Sequence, residues 1–173
     1  FPLEAQAREA SREYQLAISR LGPDRGRLRA RLLNRLATHI LAAPLTDVGR
    51  GAHLLEQVLT SKEAAPYVRF SALCKLAACA SKREQALGWA QRAEDCLFSN
   101  LEELAGWAQA LVSNLLRIHE TKRAVDLVER LLAWEVGPLF KRALWLSLIA
   151  YSHVRDQGAL QQAMEVSERA AKI

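Results

Sequence analysis

The chain has 173 residues, half of them hydrophobic and only 6% aromatic, so a core must be filled mainly by Leu, Ala and Val, and extended disorder is excluded. A formal charge of +5 admits an acidic partner or nucleic acid without requiring either. The longest apolar stretch, Ala143 to Tyr151, contains Ser147 and is far too short to span a bilayer, and no signal-peptide pattern is visible.

The first predicted helix runs from about Leu3 to Leu21, with Leu3, Ala7, Ala10, Tyr14, Ala17, Ile18 and Leu21 at three-and-four spacing. Gly22-Pro23 stops it, and Asp24 stands where it could cap a second helix over about Arg25–Ala42, which Pro44 ends. Asp47 starts a third helix reaching about Thr60. Gly49 and Gly51 weaken it by about 1 kcal/mol each relative to Ala, yet glycine also lets two helices approach closely. A fourth runs from about Ala65 to Ala80, with Pro66 tolerated in its first turn. Ser81-Lys82-Arg83-Glu84 reads as a capping box opening a fifth helix to about Phe98. Asn100 caps a sixth, to about Ile118, and Thr121 a seventh, to near Val136. Gly137-Pro138 separates these from an eighth helix over Leu139–Asp156. Gly158 breaks the eighth, and a ninth fills the remainder. No segment alternates as a strand does, so the expected class is all-α.

A motif recurs on alternate helices. A small residue is followed four places on by an apolar or aromatic residue, and three places later by another apolar one. It occurs as Ala10, Tyr14, Ala17; Gly51, Leu55, Val58; Ala86, Ala90, Ala93; and Ala124, Val128, Leu131. It closes as Ala163, Ser167, Ala170, with a polar middle residue. The intervals between first positions are 41, 35, 38 and 39 residues. Such a period is the mark of stacked helix pairs that cannot bury an apolar face singly. The odd-numbered, motif-bearing helices are termed B and the even-numbered ones A. Residues 1–173 then form one helical repeat domain: an orphan B helix over 1–22, and pairs over 23–61, 62–98, 99–136 and 137–173. The opening Phe1-Pro2, and an end at Lys172-Ile173 inside a helical pattern, lead us to expect a piece of a longer chain.

Little catalytic chemistry is legible. His39, His53, His119 and His153 form no metal-binding motif and pair with no cysteine at zinc-ligand spacing. Cys74 and Cys79, five apart on one helix, point to different faces. With Cys96 they are expected to remain thiols in a reducing compartment. Gly49-Arg50-Gly51 lacks the third glycine and the preceding strand of a nucleotide loop. Glu102-Glu103 sits in a helix's first turn, where acids favour the dipole, and Glu94-Asp95 offers further carboxylates. Trp145, among Leu144, Leu146, Leu148 and Ile149, is expected in the core. Trp89, Trp107 and Trp134 are expected to pack between repeats, with a groove lining as the rival reading for Trp89 and Trp107. Cationic residues crowd around the start of the second helix, and Arg27, Arg31 and Arg35 recur every fourth residue as a stripe. Arginine forks suit phosphates and carboxylates.

The repeated motif resembles the tetratricopeptide repeats, whose A helix carries Trp, Leu-Gly and Tyr and whose B helix carries Ala, an aromatic four later and a closing Pro. The matching residues are Ala86, Ala90 and Ala93, then Ala124, Val128 and Leu131, with Gly137-Pro138 near the terminal Pro position. The A helices depart from the pattern: Leu-Gly falls on Leu111-Val112 and Tyr on Leu115. Val in place of Gly should hold the paired helices further apart. The resemblance implies a right-handed α-α superhelix whose A helices line a concave face. Carrying the register over from Ala86, Ala124 and Ala163 places Ser71 and Lys75, then Gln109, Ser113 and Arg117, then Ser152 and Arg155 on that face. This polar, mildly cationic strip suits an extended peptide bearing a carboxylate or acidic side chains. Similar irregular arrays occur in the regulatory halves of bacterial transcription activators and signalling ATPases.

The expected function is therefore a non-catalytic module that binds a protein or peptide, or a flanking domain of its own chain, inside a cytoplasmic regulator, with no cofactor or metal. Homodimerisation through the first or ninth helix is a further expectation. The alternative is a nucleic-acid-binding array that uses the Arg27, Arg31, Arg35 stripe. It is disfavoured because no continuous basic track or set of stacking aromatics accompanies the stripe.

Overall fold

The computed structural model describes residues 2–42, 45–134, 139–153 and 160–172. Among these residues the chain is helical throughout its regular structure, with no strand. It divides into two compact units, Phe1–Ser81 and Lys82–Ile173.

The first unit comprises α1 (Pro2–Ser19), a 3-10 turn (Pro23–Arg25), α2 (Gly26–Leu41), α3 (Val48–Thr60) and α4 (Pro66–Cys79). Each helix packs on the next, and α2 also packs on α4. Asp47 caps α3 as expected, its Oδ1 accepting from the Arg50 N–H at 3.0 Å, and Pro66 occupies the first turn of α4. Gly51, Leu55 and Val58 are buried and form the inward seam of α3. A Cβ on Gly51 would stand 2.6 Å from the Leu41 side chain, so this glycine sets how closely α3 lies against α2.

In α1 the seam differs from the expected one. Ala7, Ser11 and Ile18 are buried and Tyr14 is half-buried, whereas Leu3 and Ala17 are exposed. The helix carries several alanines and packs chiefly on α2 within its unit, so small residues gave the periodicity more than one solution. Ser11 is accommodated because its hydroxyl donates to the Ala7 carbonyl at 3.0 Å. Asp24 does not cap α2, since it lies inside the 3-10 turn. The cap comes instead from Glu63, whose carboxylate accepts from the Arg27 N–H at 3.2 Å, from 36 residues away.

The second unit comprises α5 (Arg83–Ser99), α6 (Leu101–Leu104), a 3-10 turn (Ala105–Trp107), α7 (Gln109–Arg117), α8 (Thr121–Ala133), α9 (Leu139–Ser152) and α10 (Leu160–Ala171). α7 packs on α5, α8 and α9, while α9 also packs on α8 and α10. The triplets Ala86, Ala90, Ala93 and Ala124, Val128, Leu131 are buried. In α10, Ala163 is buried, Ala170 half-buried and the polar Ser167 exposed. Trp145 is wholly buried, as its neighbours suggested.

Three expected caps fail here. The capping box is out of register by one residue, because the Ala86 N–H bonds to the Lys82 carbonyl and Lys82, not Ser81, is the N-cap. The Asn100 side chain turns back and donates to the Cys96 carbonyl at 3.0 Å, serving the end of α5 rather than the start of α6. Thr121 is buried as the first residue of α8, with Glu120 at the cap position. The sixth predicted helix is also interrupted. Around Gly106 the backbone tightens into the 3-10 turn, burying Leu104, Ala105 and Ala108 while Trp107 turns outward, 62% exposed. Trp134 is 57% exposed yet meets Phe98 of α5 edge-to-face, ring centroids 5.9 Å apart, so of these two only Trp107 departs from the expected packing between repeats. Pro44, Gly137-Pro138 and Gly158 lie outside the described residues.

Candidate functional site

On α4, burial takes nearly the whole circumference: Val68, Phe70, Ala72, Leu73, Cys74, Leu76 and Ala77 are all inside. Apart from Arg69 near the start of the helix and Cys79 at its end, the part-exposed residues beyond Pro66 form a narrow strip of Tyr67, Ser71, Lys75 and Ala78, at the three-and-four spacing of one helix face. Ser71 and Lys75 are the two residues that the sequence placed on the binding strip of this helix. Both are half-buried.

The structure joins them to Asn34 of α2, a residue that helical spacing alone did not single out. The Lys75 ammonium donates to Asn34 Oδ1 at 3.0 Å and to Ser71 Oγ at 2.8 Å, and Asn34 Nδ2 lies 3.3 Å from Ser71 Oγ. These contacts span 41 and 37 residues, within the repeat intervals. That period was the available signal: an Asn one repeat before a Ser and a Lys on successive A helices is placed to meet them. Both partners of Lys75 are neutral, so its charge is solvated by dipoles rather than by a counter-ion. Burial lowers its pKa from 10.5 to about 8, and the neighbouring Cys74 opposes that effect.

Arg27, Arg31 and Arg35 are exposed along α2. In helical projection Arg27 lies about 20°, Arg31 about 60° and Arg35 about 100° to one side of Asn34, so the stripe runs from beside Asn34 toward the side of α2 opposite its buried seam. Neither α2 nor α4 contains Asp or Glu.

In the second unit Gln109, Ser113 and Arg117 fall at successive four-residue steps of α7, half-buried at Gln109 and exposed at the other two. Ser152 ends α9 but its side chain is outside the described residues, as is Arg155 entirely. The B helices of this unit are tied by ion pairs across one repeat. Glu94 of α5 accepts from Arg123 at 2.8 Å through one oxygen and from Arg130 at 3.0 Å through the other, with Gln91 also bonded to Arg123. Arg130 also stacks 3.8 Å from the Phe98 ring centroid. Glu129 of α8 pairs with Arg169 of α10 at 2.8 Å, and Arg83 with Glu120 at 2.6 Å.

Cys74 is buried and Cys79 and Cys96 are half-buried. His39 Nε2 lies 2.9 Å from the Ala7 carbonyl, and His53 contacts Gln57 on its own helix. Among the described residues no three His, Cys, Asp or Glu side chains cluster as metal ligands, and no helix is long and apolar enough to cross a membrane. Trp89 lies under the Arg92 guanidinium, 4.7 Å from its centroid, beside Gln85 and Gly88 in a shallow depression. Comparison with protein-family models, curated proteins and solved structures returns no match to this chain.

Proposed function

We propose that this chain is a tetratricopeptide-like, non-catalytic interaction module that binds an extended peptide or a neighbouring domain along its A helices. The observation that carries the reading is the Asn34–Ser71–Lys75 cluster. Two successive A helices, α2 and α4, lie side by side and present adjoining polar positions at the repeat spacing. Within the second unit α7 and α9 are likewise in contact around α8, and α7 carries Gln109, Ser113 and Arg117 on one line. A peptide laid over the strip of either unit gains hydrogen bonds from its polar side chains and is oriented by Lys75 in the first unit, or by Arg117 and Arg155 in the second. A cytoplasmic regulator is the setting in which such a module acts.

The test is charge reversal at the three cations. Peptides selected for binding to the native chain are measured again against the Lys75→Glu, Arg117→Glu, Arg155→Glu variant by fluorescence anisotropy, with circular dichroism confirming helicity. Loss of binding is expected. Retention of every selected peptide at native affinity removes the A-helix face as the binding surface.

A further inference from the structure

The α1–α3 side of the first unit and the α5–α8 side of the second are built in step. Ala7, Ser11, Tyr14 and Ile18 of α1 have the spacing of the buried Ala86, Ala90, Ala93 and Leu97 of α5. Gly51, Leu55 and Val58 of α3 have that of Ala124, Val128 and Leu131 of α8. In each unit one A helix, α2 or α7, packs on both B helices. With the seams aligned, Arg50 stands where Arg123 does, one residue before the first seam position of its helix. Gln15 stands where Glu94 does, and Arg12 where Gln91 does.

The chemistry at these positions differs. In the second unit the Glu94 carboxylate, 13% exposed, joins the two helices by accepting from Arg123 at 2.8 Å, and Gln91 bonds to the same guanidinium. In the first unit a neutral amide replaces the acid, and a cation replaces the amide. Arg8, Arg12, Gln15 and Arg50 line a cleft of about 440 Å³ between α1 and α3. Among the described residues neither the Arg50 guanidinium nor the Gln15 amide has a hydrogen-bond or ion-pair partner. Arg12 reaches only Glu9 of its own helix, at 3.5 Å, and a pair so long and so exposed holds it weakly. Two acids also line the cleft: Glu4 is paired with Arg8 at 2.5 Å, and Asp47 accepts from the Arg50 backbone N–H. Three arginines against two acids leave one positive charge of the lining without a partner inside the cleft.

We propose that this cleft is a binding site for a small monocarboxylate, whose carboxylate takes between Arg50 and Arg12 the place that Glu94 holds beside Arg123, with the Gln15 amide as a further donor. Guanidinium forks match the planar carboxylate. Glu4 and Asp47 repel a second negative charge, so di- and trianions are disfavoured. The volume falls within the range of small-molecule sites, about 300–1,000 Å³, and leaves room for a ligand body beyond the carboxylate. The bound anion bridges α1 and α3 as Glu94 bridges α5 and α8, and so stabilises the first unit. This site lies between B helices and goes beyond the interaction-module reading, on which it does not depend.

The experiment is a titration of the full chain with butyrate, succinate and inorganic phosphate at constant ionic strength, followed by amide and arginine side-chain nuclear magnetic resonance shifts. Butyrate should saturate in the millimolar range, with its largest shifts at Arg12, Gln15 and Arg50, and should bind more tightly than the other two. Arg50→Gln should weaken it about tenfold, as loss of one charge-assisted hydrogen bond does. Gln15→Glu places in the first unit the carboxylate that the second already has. That variant should lose butyrate binding and, with no ligand added, show a higher Tm than the native chain. Arg12, Gln15 and Arg50 are all exposed, so the variants keep the fold, and Arg12→Gln supplies a second charge removal. Butyrate shifts that do not saturate overturn the proposal, as does butyrate binding that survives both Arg50→Gln and Gln15→Glu. Tighter binding of succinate or phosphate overturns it as well.

Discussion

Replacing Lys75 by Met should change how the stability of the protein depends on pH. In the folded chain the amine has a pKa of about 8, against 10.5 unfolded, because burial disfavours its charged form. Below the lower value it is protonated in both states, and the fold carries the whole cost of a half-buried cation without a counter-ion. Above 10.5 it is neutral in both, and that cost is gone. Between the two the unfolded state binds more protons, so stability rises with pH. At about 1.4 kcal/mol per pH unit the interval amounts to about 3 kcal/mol. Urea denaturation of the native and Lys75→Met chains, followed by far-ultraviolet circular dichroism, isolates this effect together with the coupling of Lys75 to Cys74, since titrations elsewhere are common to both. The native-minus-variant difference should climb by about 3 kcal/mol from below pH 8 to above pH 10.5. A flat difference across that window would falsify the argument that Lys75 is desolvated and lacks a counter-ion.

Two glycines should respond to alanine in opposite directions. Gly88, mid-way along α5, has no atom within 4 Å of an added Cβ, so Gly88→Ala should stabilise by about 0.5–1 kcal/mol and raise Tm. Gly51→Ala drives a methyl against the Leu41 side chain, and the overpacking, about 1–3 kcal/mol, should outweigh the gain in propensity and lower Tm. At the Glu94–Arg123 pair, with Glu94 13% exposed, a double-mutant cycle should give a coupling of about 1 kcal/mol or more. The same cycle at Glu129–Arg169, both about half exposed, should give about 0.5 kcal/mol or less, and equal couplings would contradict the burial argument. Arg69 donates to the carbonyls of Ser61, Lys62 and Ala64 in the turn between α3 and α4. Arg69→Ala should therefore cost about 1–3 kcal/mol in urea denaturation and speed amide exchange in that turn.

The helices and three of the five inward seams were legible because a small residue followed at four and seven by apolar ones has one burial solution when the helix packs on several neighbours. Gly51, Leu55 and Val58 on α3 and the triplets on α5 and α8 obey it. α1 did not, since an alanine-rich helix with one main neighbour in its unit can roll by a residue at little cost, and Ser11 came inside instead. Caps were the weakest reading. Ser81, Asn100 and Thr121 each lie within two residues of a helix start, and whether a short polar side chain bonds forward or backward depends on that small offset.

The candidate site divides along the same line. Ser71, Lys75 and the stripe of Arg27, Arg31 and Arg35 could be named from helical spacing and resemblance, because position on a helix face is a local property with a fixed angular step. That Ser71 and Lys75 would meet Asn34 of α2 could not. α2 and α4 are separated in the chain by a whole helix, and their alignment depends on the depth to which Gly51 admits Leu41 and on the bonds of Asn34 to Ser71 and Lys75. The amino-acid order thus determined which residues each helix could expose. Only packing between helices decided that Asn34, Ser71 and Lys75 would join in one hydrogen-bonded cluster with the lysine desolvated, since the interactions that bring them together join residues a full repeat apart.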